Sequence, residues 1–246
     1  GFMARLICEN VGKTYQEFEL KNISLTVESG YLTGLLGLNG AGKSTLLRIL
    51  AGVDPLFTGT VTVDGTDVSA QPAEAKQKIG FVSEERQFFW EMDALENGEL
   101  LGQLYPDFDE VQFRGWLQGM GIPINQPLYQ FSKGMKMKFQ LGFVLSYHPQ
   151  FLLLDEPTSG LDPIFRRDFL KILRDVLDLG MGILMTTHLM SDLDRIADVV
   201  VVLDHGEQKL NEHSDALENG AGAEIEALLT GKFRIRDLLE KYGETV

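Results

Sequence analysis

The stretch that decides the fold of this chain is Gly37-Leu38-Asn39-Gly40-Ala41-Gly42-Lys43-Ser44-Thr45. It fits the phosphate-binding loop pattern G-x-x-x-x-G-K-[ST] from Gly37 to Ser44. Glycine lacks a Cβ, so the three glycines let successive backbone N–H groups point inward at an anion. The helix predicted from Lys43 to about Ala51 adds the positive end of its dipole. The pattern therefore predicts a site for the phosphates of a nucleotide.

Two side chains of this loop carry specific chemistry. Lys43 is predicted to reach the β- and γ-phosphates, and the Ser44 hydroxyl is predicted to ligate Mg²⁺. The alternative is a glycine-rich turn that binds nothing. The flanking segments favour the nucleotide site, because 31–36 is typical of a buried strand entering the loop and 46–50 of a helix leaving it.

The composition limits the compartment and the partners. A length of 246 residues suits one large α/β domain with room for a subdomain. The net charge of −14 argues against a nucleic-acid partner and against adsorption to anionic lipid. A single cysteine, Cys8, cannot form an internal disulfide, which indicates a reducing cytoplasm. No apolar run approaches the roughly 18 residues of a membrane span, and the first residues do not resemble a signal peptide. We expect any membrane role to depend on another chain.

Hydrophobic periodicity predicts an α/β fold with an inserted helical segment. Alternating or continuous apolar runs predict strands at 4–11, 20–27, 31–36, 59–65, 78–82, 151–154, 182–187 and 197–203. Short helices are expected at 73–78 and between the last two strands, and a longer one at 165–179. These elements divide the chain into an α/β core with an antiparallel β layer (3–83 and 149–210), a helical subdomain (84–148) and a helical tail (211–246). The last helix of that tail is expected near 235–242.

Two adjacent carboxylates end the apolar strand 151–154. Neighbouring strand residues point to opposite sides, so Asp155 and Glu156 are expected to have different tasks. Asp155 is suited to holding Mg²⁺ or its water, and Glu156 to orienting or deprotonating a water that attacks the γ-phosphate. The alternative is a solvated acidic exit from a strand, which the upstream phosphate loop makes less favoured.

These motifs together resemble the ATP-binding-cassette (ABC) family of ATPases. The run from Asp155 to Pro163 is similar to the family's Walker B motif followed by its D-loop, and Phe131-Ser132-Lys133-Gly134-Met135 occupies the place of its L-S-G-G-Q signature. His188 matches the switch histidine, and Tyr15 matches the aromatic that stacks on adenine. The resemblance covers Tyr15 to His188 in the family's order and spacing.

The resemblance implies a P-loop NTPase cassette that works as a head-to-tail dimer closed on two ATP molecules with Mg²⁺. Glu156, His188 and Lys43 would act in catalysis, and Ser44, Glu84 and Asp155 would hold Mg²⁺. Ser132 is also a good N-cap for the helix that follows it, whose N-terminus could face the γ-phosphate in the other subunit. The full set expected to contact ATP and Mg²⁺ is Tyr15, Gly37, Asn39, Gly40, Ala41, Gly42, Lys43, Ser44, Thr45, Glu84, Ser132, Gly134, Asp155 and Asp162.

Four positions depart from the family pattern: Glu84, and Phe131, Lys133 and Met135 of the signature. Glu84 stands where the family has the glutamine of its Q-loop, which adds a negative charge beside the nucleotide. Lys133 replaces a glycine of the signature, and its amino group either attracts phosphate or points to solvent. Close by, three consecutive aromatics, Phe88, Phe89 and Trp90, cannot all face one core. We expect at least one to be exposed and to anchor a helix from a membrane subunit, unless all three pack inside the helical subdomain.

The function that the resemblance favours is the ATPase subunit of an ABC exporter that drives a separately encoded membrane permease. The ATPase pair would be a homodimer or a heterodimer. It would be cytoplasmic and peripheral at the inner face of the membrane, without inserting into it and without a nucleic-acid partner. The alternative is a soluble ABC-type ATPase with a non-membrane partner, although this chain has neither a coiled-coil insertion nor a second cassette. An unrelated phosphate-loop kinase or GTPase would leave Glu156, Ser132 and His188 as coincidences.

Overall fold

The described part of the computed structural model, residues 3–194 and 196–213, is built on one ten-stranded sheet. Its strand order is β5-β4-β1-β2-β10-β9-β3-β8-β7-β6. The strands are β1 (Arg5–Thr14), β2 (Glu19–Glu28), β3 (Leu32–Leu36), β4 (Thr58–Val63), β5 (Thr66–Asp67), β6 (Ile79–Val82), β7 (Phe151–Leu154), β8 (Gly182–Thr187), β9 (Val199–Asp204) and β10 (Glu207–His213).

The sheet has a parallel part and an antiparallel part. Strand β3 pairs in parallel with β8 and β9, and β7 pairs in parallel with β6 and β8. Strand β1 pairs antiparallel with β2 and β4. Every residue of β3, β7 and β8 is buried, as expected for parallel strands covered on both faces. The predicted fold class, a parallel core sheet with an antiparallel layer, is confirmed.

Six α-helices accompany the sheet in the described residues. They are α1 (Lys43–Leu50), α2 (Pro72–Gln77), α3 (Ala94–Leu101), α4 (Glu110–Gly119), α5 (Lys133–Leu145) and α6 (Pro163–Asp178). The side chains of Asp93, Asp109, Ser132 and Asp162 cap the N-termini of α3, α4, α5 and α6 by accepting backbone N–H bonds. The predicted N-cap role of Ser132 is therefore confirmed.

The stretch between β6 and β7 packs around aromatic rings. Phe88 makes an edge-on contact with Phe139, with ring centroids 5.0 Å apart, and Phe113 and Phe143 pack in the same cluster. Asn97 is fully buried among them and fixes the loop before α3 through its amide. Helices α3, α4 and α5 thus form a packed unit beside the sheet.

The structure corrects two predictions and leaves one outside its range. The helix expected between β8 and β9 is a short 3-10 turn, Met190–Asp192, in the described residues. Residues 211–213, assigned to a helical tail, belong to β10 instead. The rest of that tail, including the helix expected near 235–242, lies outside the described residues. Across the part of the chain that the structure describes, no helix is both long enough and apolar enough to cross a membrane.

Candidate nucleotide-binding site

The phosphate loop joins the buried strand β3 to helix α1. Gly40 and Gly42 have φ angles of 83° and 106°, in the left-handed region that favours glycine. A Cβ on Gly42 would also lie 2.6 Å from the ring of Phe18. Helix α1 begins at Lys43, so its N-terminal N–H groups face the loop. The sequence therefore folds locally into an anion site of the predicted kind.

A cavity of about 590 Å³ opens at this loop. Such a volume is within the usual range for a bound small molecule. Its walls are formed by Tyr15, Glu17, Phe18, Asn39, Gly40, Gly42, Lys43, Ser44, Thr45 and Glu156. The cavity is therefore shared by Tyr15, the phosphate loop and Glu156 after the end of β7. Glu17 and Phe18 were not predicted, and Phe18 belongs there because its ring covers the glycine at the start of α1.

Lys43, Glu156 and His188 form one continuous polar chain. Lys43 Nζ lies 2.5 Å from Glu156 Oε1 and donates to the Gly37 carbonyl. His188 Nδ1 lies 3.1 Å from Glu156 Oε2. Lys43 is only 5% exposed, so this ion pair is weakly screened by solvent. The structure thus brings together the three side chains predicted to act in catalysis.

The two carboxylates at the end of β7 have different partners, as their alternation suggested. Asp155 is buried, and its Oδ1 accepts a 2.8 Å hydrogen bond from the Thr186 hydroxyl. The same hydroxyl oxygen accepts the Glu156 N–H at 2.8 Å. Thr186 therefore orients both acids, a role that the sequence did not reveal because a threonine in a buried strand has many uses.

The donor set suits Mg²⁺. Magnesium prefers hard oxygen ligands and is usually bound through one or two carboxylates together with substrate phosphates. The Ser44 hydroxyl lines the cavity, and the Asp155 carboxylate follows β7 directly beside Glu156. No cluster of three or more His, Cys, Asp or Glu side chains that could hold a metal exists among the described residues. A site shared with phosphate fits the Ser44 hydroxyl and the Asp155 carboxylate.

The ring of Tyr15 is held open to solvent. It is 41% exposed, with Lys13 Nζ 5.2 Å from its centroid and its hydroxyl 3.4 Å from Asp54. Burial pushes the pKa of Asp54 upward, but hydrogen bonds and the charge of Lys13 outweigh it and hold that pKa below its usual value. Tyr15 therefore presents a flat, anchored face to the cavity, as adenine stacking requires.

The signature residues lie elsewhere on the chain. Ser132 and Gly134 do not line the cavity, and neither do the other predicted site residues Gly37, Ala41, Glu84, Asp155, Asp162 and His188. Gly134 lets the start of α5 approach α6, because a Cβ there would lie 2.6 Å from the Phe165 ring. The capped N-termini of α5 and α6 are consequently neighbours at one surface.

Two of the departures from the family pattern, Glu84 and Lys133, contact each other. Lys133 Nζ lies 2.8 Å from Glu84 Oε1. The same amino group would be 3.3 Å from a Cβ on Gly160, which follows the acidic strand end. Lys133 therefore neither faces solvent alone nor reaches this chain's own phosphate loop, and the charge of Glu84 is compensated within the chain. The Mg²⁺ role of Glu84 stays a prediction.

The three consecutive aromatics divide as predicted. Phe88 is 7% exposed and packs in the helical unit, Trp90 is half-buried, and Phe89 is 47% exposed. The expectation that at least one of them faces solvent is confirmed, and the exposed one is Phe89. Its role as an anchor for another chain stays a prediction.

Comparison with known proteins points to one family. The family model described as ABC transporter matches residues 20–159. The chain is 34% identical to the linearmycin resistance ATP-binding protein LnrL of Bacillus subtilis, over 82% of this chain and 67% of that protein. It is 36% identical to the Nod factor export ATP-binding protein I of Sinorhizobium fredii, over 85% and 62%, and 30% identical to the lantibiotic transport ATP-binding protein SrtF of Streptococcus pyogenes, over 86% and 92%.

Solved structures show the same fold at lower identity. The structure of an ATP-binding subunit of an ABC transporter superposes with a TM-score of 0.80 at 24% identity, covering 92% of this chain and 99% of that one. A nucleotide-free ATP-binding cassette superposes with a TM-score of 0.77 at 22% identity, covering 90% and 98%. This chain spans about two thirds of the length of LnrL and of the Nod factor export protein.

Proposed function

The chain belongs to the ABC transporter family as an ATP-binding, ATP-hydrolysing subunit, and from this premise we propose that two such subunits close head-to-tail on two Mg-ATP molecules to drive export through a separate membrane permease. One observation carries the proposal. Lys43, Glu156 and the loop share one cavity with Tyr15, and His188 contacts Glu156, whereas Ser132 and Gly134 of the signature do not line that cavity. A second subunit would bring its own signature to that cavity.

Binding and hydrolysis follow from the residues of the cavity. Tyr15 stacks on the adenine, and the loop N–H groups and Lys43 hold the phosphates. Ser44 and Asp155 would hold Mg²⁺, which when bound neutralises charge on the phosphate oxygens. Glu156 orients the attacking water and accepts its proton, while His188, 3.1 Å from Glu156, donates to the γ-phosphate. Lys43 moves from the carboxylate of Glu156 toward phosphate, which frees Glu156 for the water.

The second subunit completes the anion site. Helix α5 begins at Lys133 directly after the cap Ser132, so its N–H groups and dipole can face a γ-phosphate held by the partner. Asp162 caps the adjacent helix α6 and would lie at the seam between subunits. Because one chain carries the full set of residues, a homodimer would have two competent sites. A heterodimer with a related subunit would use the same contacts.

A groove beside α1 suits a short helix of the permease. It has a volume of about 370 Å³ and lies between the sheet and the helical unit. Its walls include Val53, Phe81, Arg86, Gln87 and Tyr105. The exposed ring of Phe89 follows Gln87 closely in the chain and would add an apolar anchor. Through this contact the ATPase would sit at the cytoplasmic face of the membrane.

The direction of transport rests on relatives. The matched proteins are named for linearmycin resistance, Nod factor export and lantibiotic transport. The first of these names describes resistance and the second export, and we propose export for this chain on that basis. The alternative is a soluble ABC-type ATPase with a non-membrane partner.

The deciding experiment traps the closed dimer. A tagged Glu156→Gln chain is purified with Mg-ATP from detergent-solubilised cells of its source, and the co-purifying proteins are identified by mass. The matched control is Glu156→Gln combined with Lys43→Ala, which should not hold ATP and should not trap. We expect a dimer together with a polytopic membrane protein in the first sample alone. A soluble partner would favour the alternative, and an ATP-bound monomer would contradict the dimer mechanism.

The groove has its own test. Phe89→Ser should fold normally and lose the membrane protein, because it changes an exposed ring. Phe88→Ala should instead lower stability, since Phe88 packs in the helical core. If Phe89→Ser also unfolds the chain, or if it retains the partner fully, Phe89 is not the anchor.

A further inference from the structure

A buried carboxylate, Asp192, is hydrogen-bonded to the two segments that carry Glu156 and His188. It belongs to the 3-10 turn that follows β8 and is 2% exposed. Its Oδ2 accepts hydrogen bonds from the Thr158 hydroxyl at 2.9 Å and from the Thr187 hydroxyl at 3.0 Å. Both threonines are 1% exposed. A single oxygen atom therefore joins two separate segments in a dry environment.

Each of these threonines belongs to a segment that carries a catalytic side chain. Thr158 lies two residues after Glu156 in the turn that leaves β7, and Thr187 directly precedes His188 at the end of β8. The contact between Glu156 and His188 is 3.1 Å long and depends on how these two segments are placed. Buried charge-assisted hydrogen bonds are strong and directional, so Asp192 fixes that placement.

The charge of Asp192 is balanced from a third element. Arg166 on α6 places its Nε 3.4 Å from Asp192 Oδ1, and neither atom makes a hydrogen bond. Oδ1 therefore faces the guanidinium, and Oδ2 serves the two threonines. Since α6 also carries the cap Asp162, the same carboxylate links the proposed dimer seam to both catalytic segments.

We propose that Asp192 is a positioning residue for ATP hydrolysis, which sets the Glu156–His188 geometry through Thr158 and Thr187. It does not line the nucleotide cavity, so it acts through these neighbours and not on the substrate. The proposal rests on the proposed ATPase function. It predicts a loss of turnover without a loss of ATP affinity, because Glu156 and His188 shift while the hydrogen bonds of Asp192 do not involve the phosphate loop or Tyr15.

The test compares variants that remove or weaken the hydrogen bonds of Asp192, of which Thr158→Val removes one. Asp192→Asn, Thr158→Val and Thr187→Val are made in the full chain, and kcat and the ATP dissociation constant are measured with its partner present. We expect a roughly tenfold or larger fall in kcat with ATP affinity unchanged within about twofold, since displacements near 1 Å can cost about a hundredfold. The matched control is Asp198→Asn, whose carboxylate accepts the Leu32 N–H at the opposite end of the parallel strands. Its kcat should stay within about twofold of the wild type.

A double-mutant comparison separates positioning from general damage. If both threonines act through one oxygen, Thr158→Val should lower kcat much less in the Asp192→Asn background than in the wild type. Thermal stability is measured alongside. Full additivity, or a loss of stability with unchanged kcat, would overturn the proposal in favour of a purely structural carboxylate. If Asp192→Asn fails to fold, the two threonine variants still test the proposal.

A readout without activity distinguishes this proposal from the proposed function. The imidazole ring resonances of His188, assigned by comparison with His188→Gln, should move in Asp192→Asn and stay in Asp198→Asn. Unchanged resonances in Asp192→Asn would contradict the positioning role even if the chain is an ATPase. A wild type that binds but never hydrolyses ATP would contradict the proposed function, while the resonances would still report on the positioning.

Discussion

The contact between Glu84 and Lys133 gives the sharpest quantitative prediction. It pairs two positions that depart from the family pattern, at a distance of 2.8 Å between Lys133 Nζ and Glu84 Oε1. The perturbation is a charge swap: Glu84→Lys, Lys133→Glu and the double variant. We expect each single variant to be less stable than the wild type, because like charges then face each other, and the double variant to recover most of the loss.

The magnitude follows from the exposure of the pair. At 2.8 Å in water, Coulomb attraction is about 1.5 kcal/mol. The side chains are 35% and 57% exposed, so ordering costs and solvent screening reduce this to about 0.5 kcal/mol. A swap cycle compares two attractive with two repulsive arrangements, so its coupling energy can reach about four times that value. Since repelled side chains move apart, we expect about 1–2 kcal/mol.

The assay is urea unfolding of the four proteins at about 20 mM and 500 mM NaCl. The coupling energy should fall by more than half at high salt, because the Debye length then becomes shorter than about 5 Å. The matched control is the same cycle with Glu85→Lys in place of Glu84→Lys, because the side chain of Glu85 pairs with Arg48. A Glu84–Lys133 coupling no larger than that of the Glu85 cycle would refute the ion pair.

Three further outcomes are expected. Burial raises the pKa of Cys8 to about 12 from 9.0, so the thiol ionises first in the unfolded chain. The free energy of unfolding of the wild type relative to that of Cys8→Ala should therefore fall by about 1.4 kcal/mol per pH unit above pH 9. A pH-independent difference in urea unfolding would contradict this. Asn97→Ala should cost about 3 kcal/mol in the same assay, because the buried amide holds Phe89 and Asp93 backbone groups; a loss below 1 kcal/mol would count against that role. Tyr15→Ala should weaken ATP binding about tenfold and Tyr15→Phe should not, as measured by calorimetry; equal losses would exclude stacking.

The parts of the site that are local in sequence could be predicted. The phosphate loop lies between one buried strand and one helix, and its glycines and Lys43 are adjacent in the chain. Different partners for Asp155 and Glu156 were expected from strand alternation and are observed, although both residues lie beyond the end of β7 and Glu156 has a left-handed φ of 46°. These inferences succeed because hydrogen bonding and side-chain direction within a few residues are fixed by backbone geometry.

Contacts between distant segments could not be predicted. Glu84 and Lys133 were each interpreted alone, and nothing in the sequence indicates that they meet. The burial of Asp192 could not be predicted either, since an acidic residue in a polar stretch usually faces solvent. Strand β10 was missed for a related reason: only Leu210 in it is buried, so it has no apolar alternation, and its pairing with β9 decides its structure.

The backbone at Glu156 has a consequence for how this protein can change over time. Its φ of 46° lies in the left-handed region, which a residue with a long side chain adopts at a cost of about 1 kcal/mol or more. Glycine or asparagine would relieve that strain and would also remove the carboxylate that is predicted to act in catalysis. A duplicated copy freed from selection for hydrolysis would therefore drift toward greater stability as it lost activity. At position 156, the side chain that the proposed hydrolysis requires therefore differs from the residue types that the backbone favours.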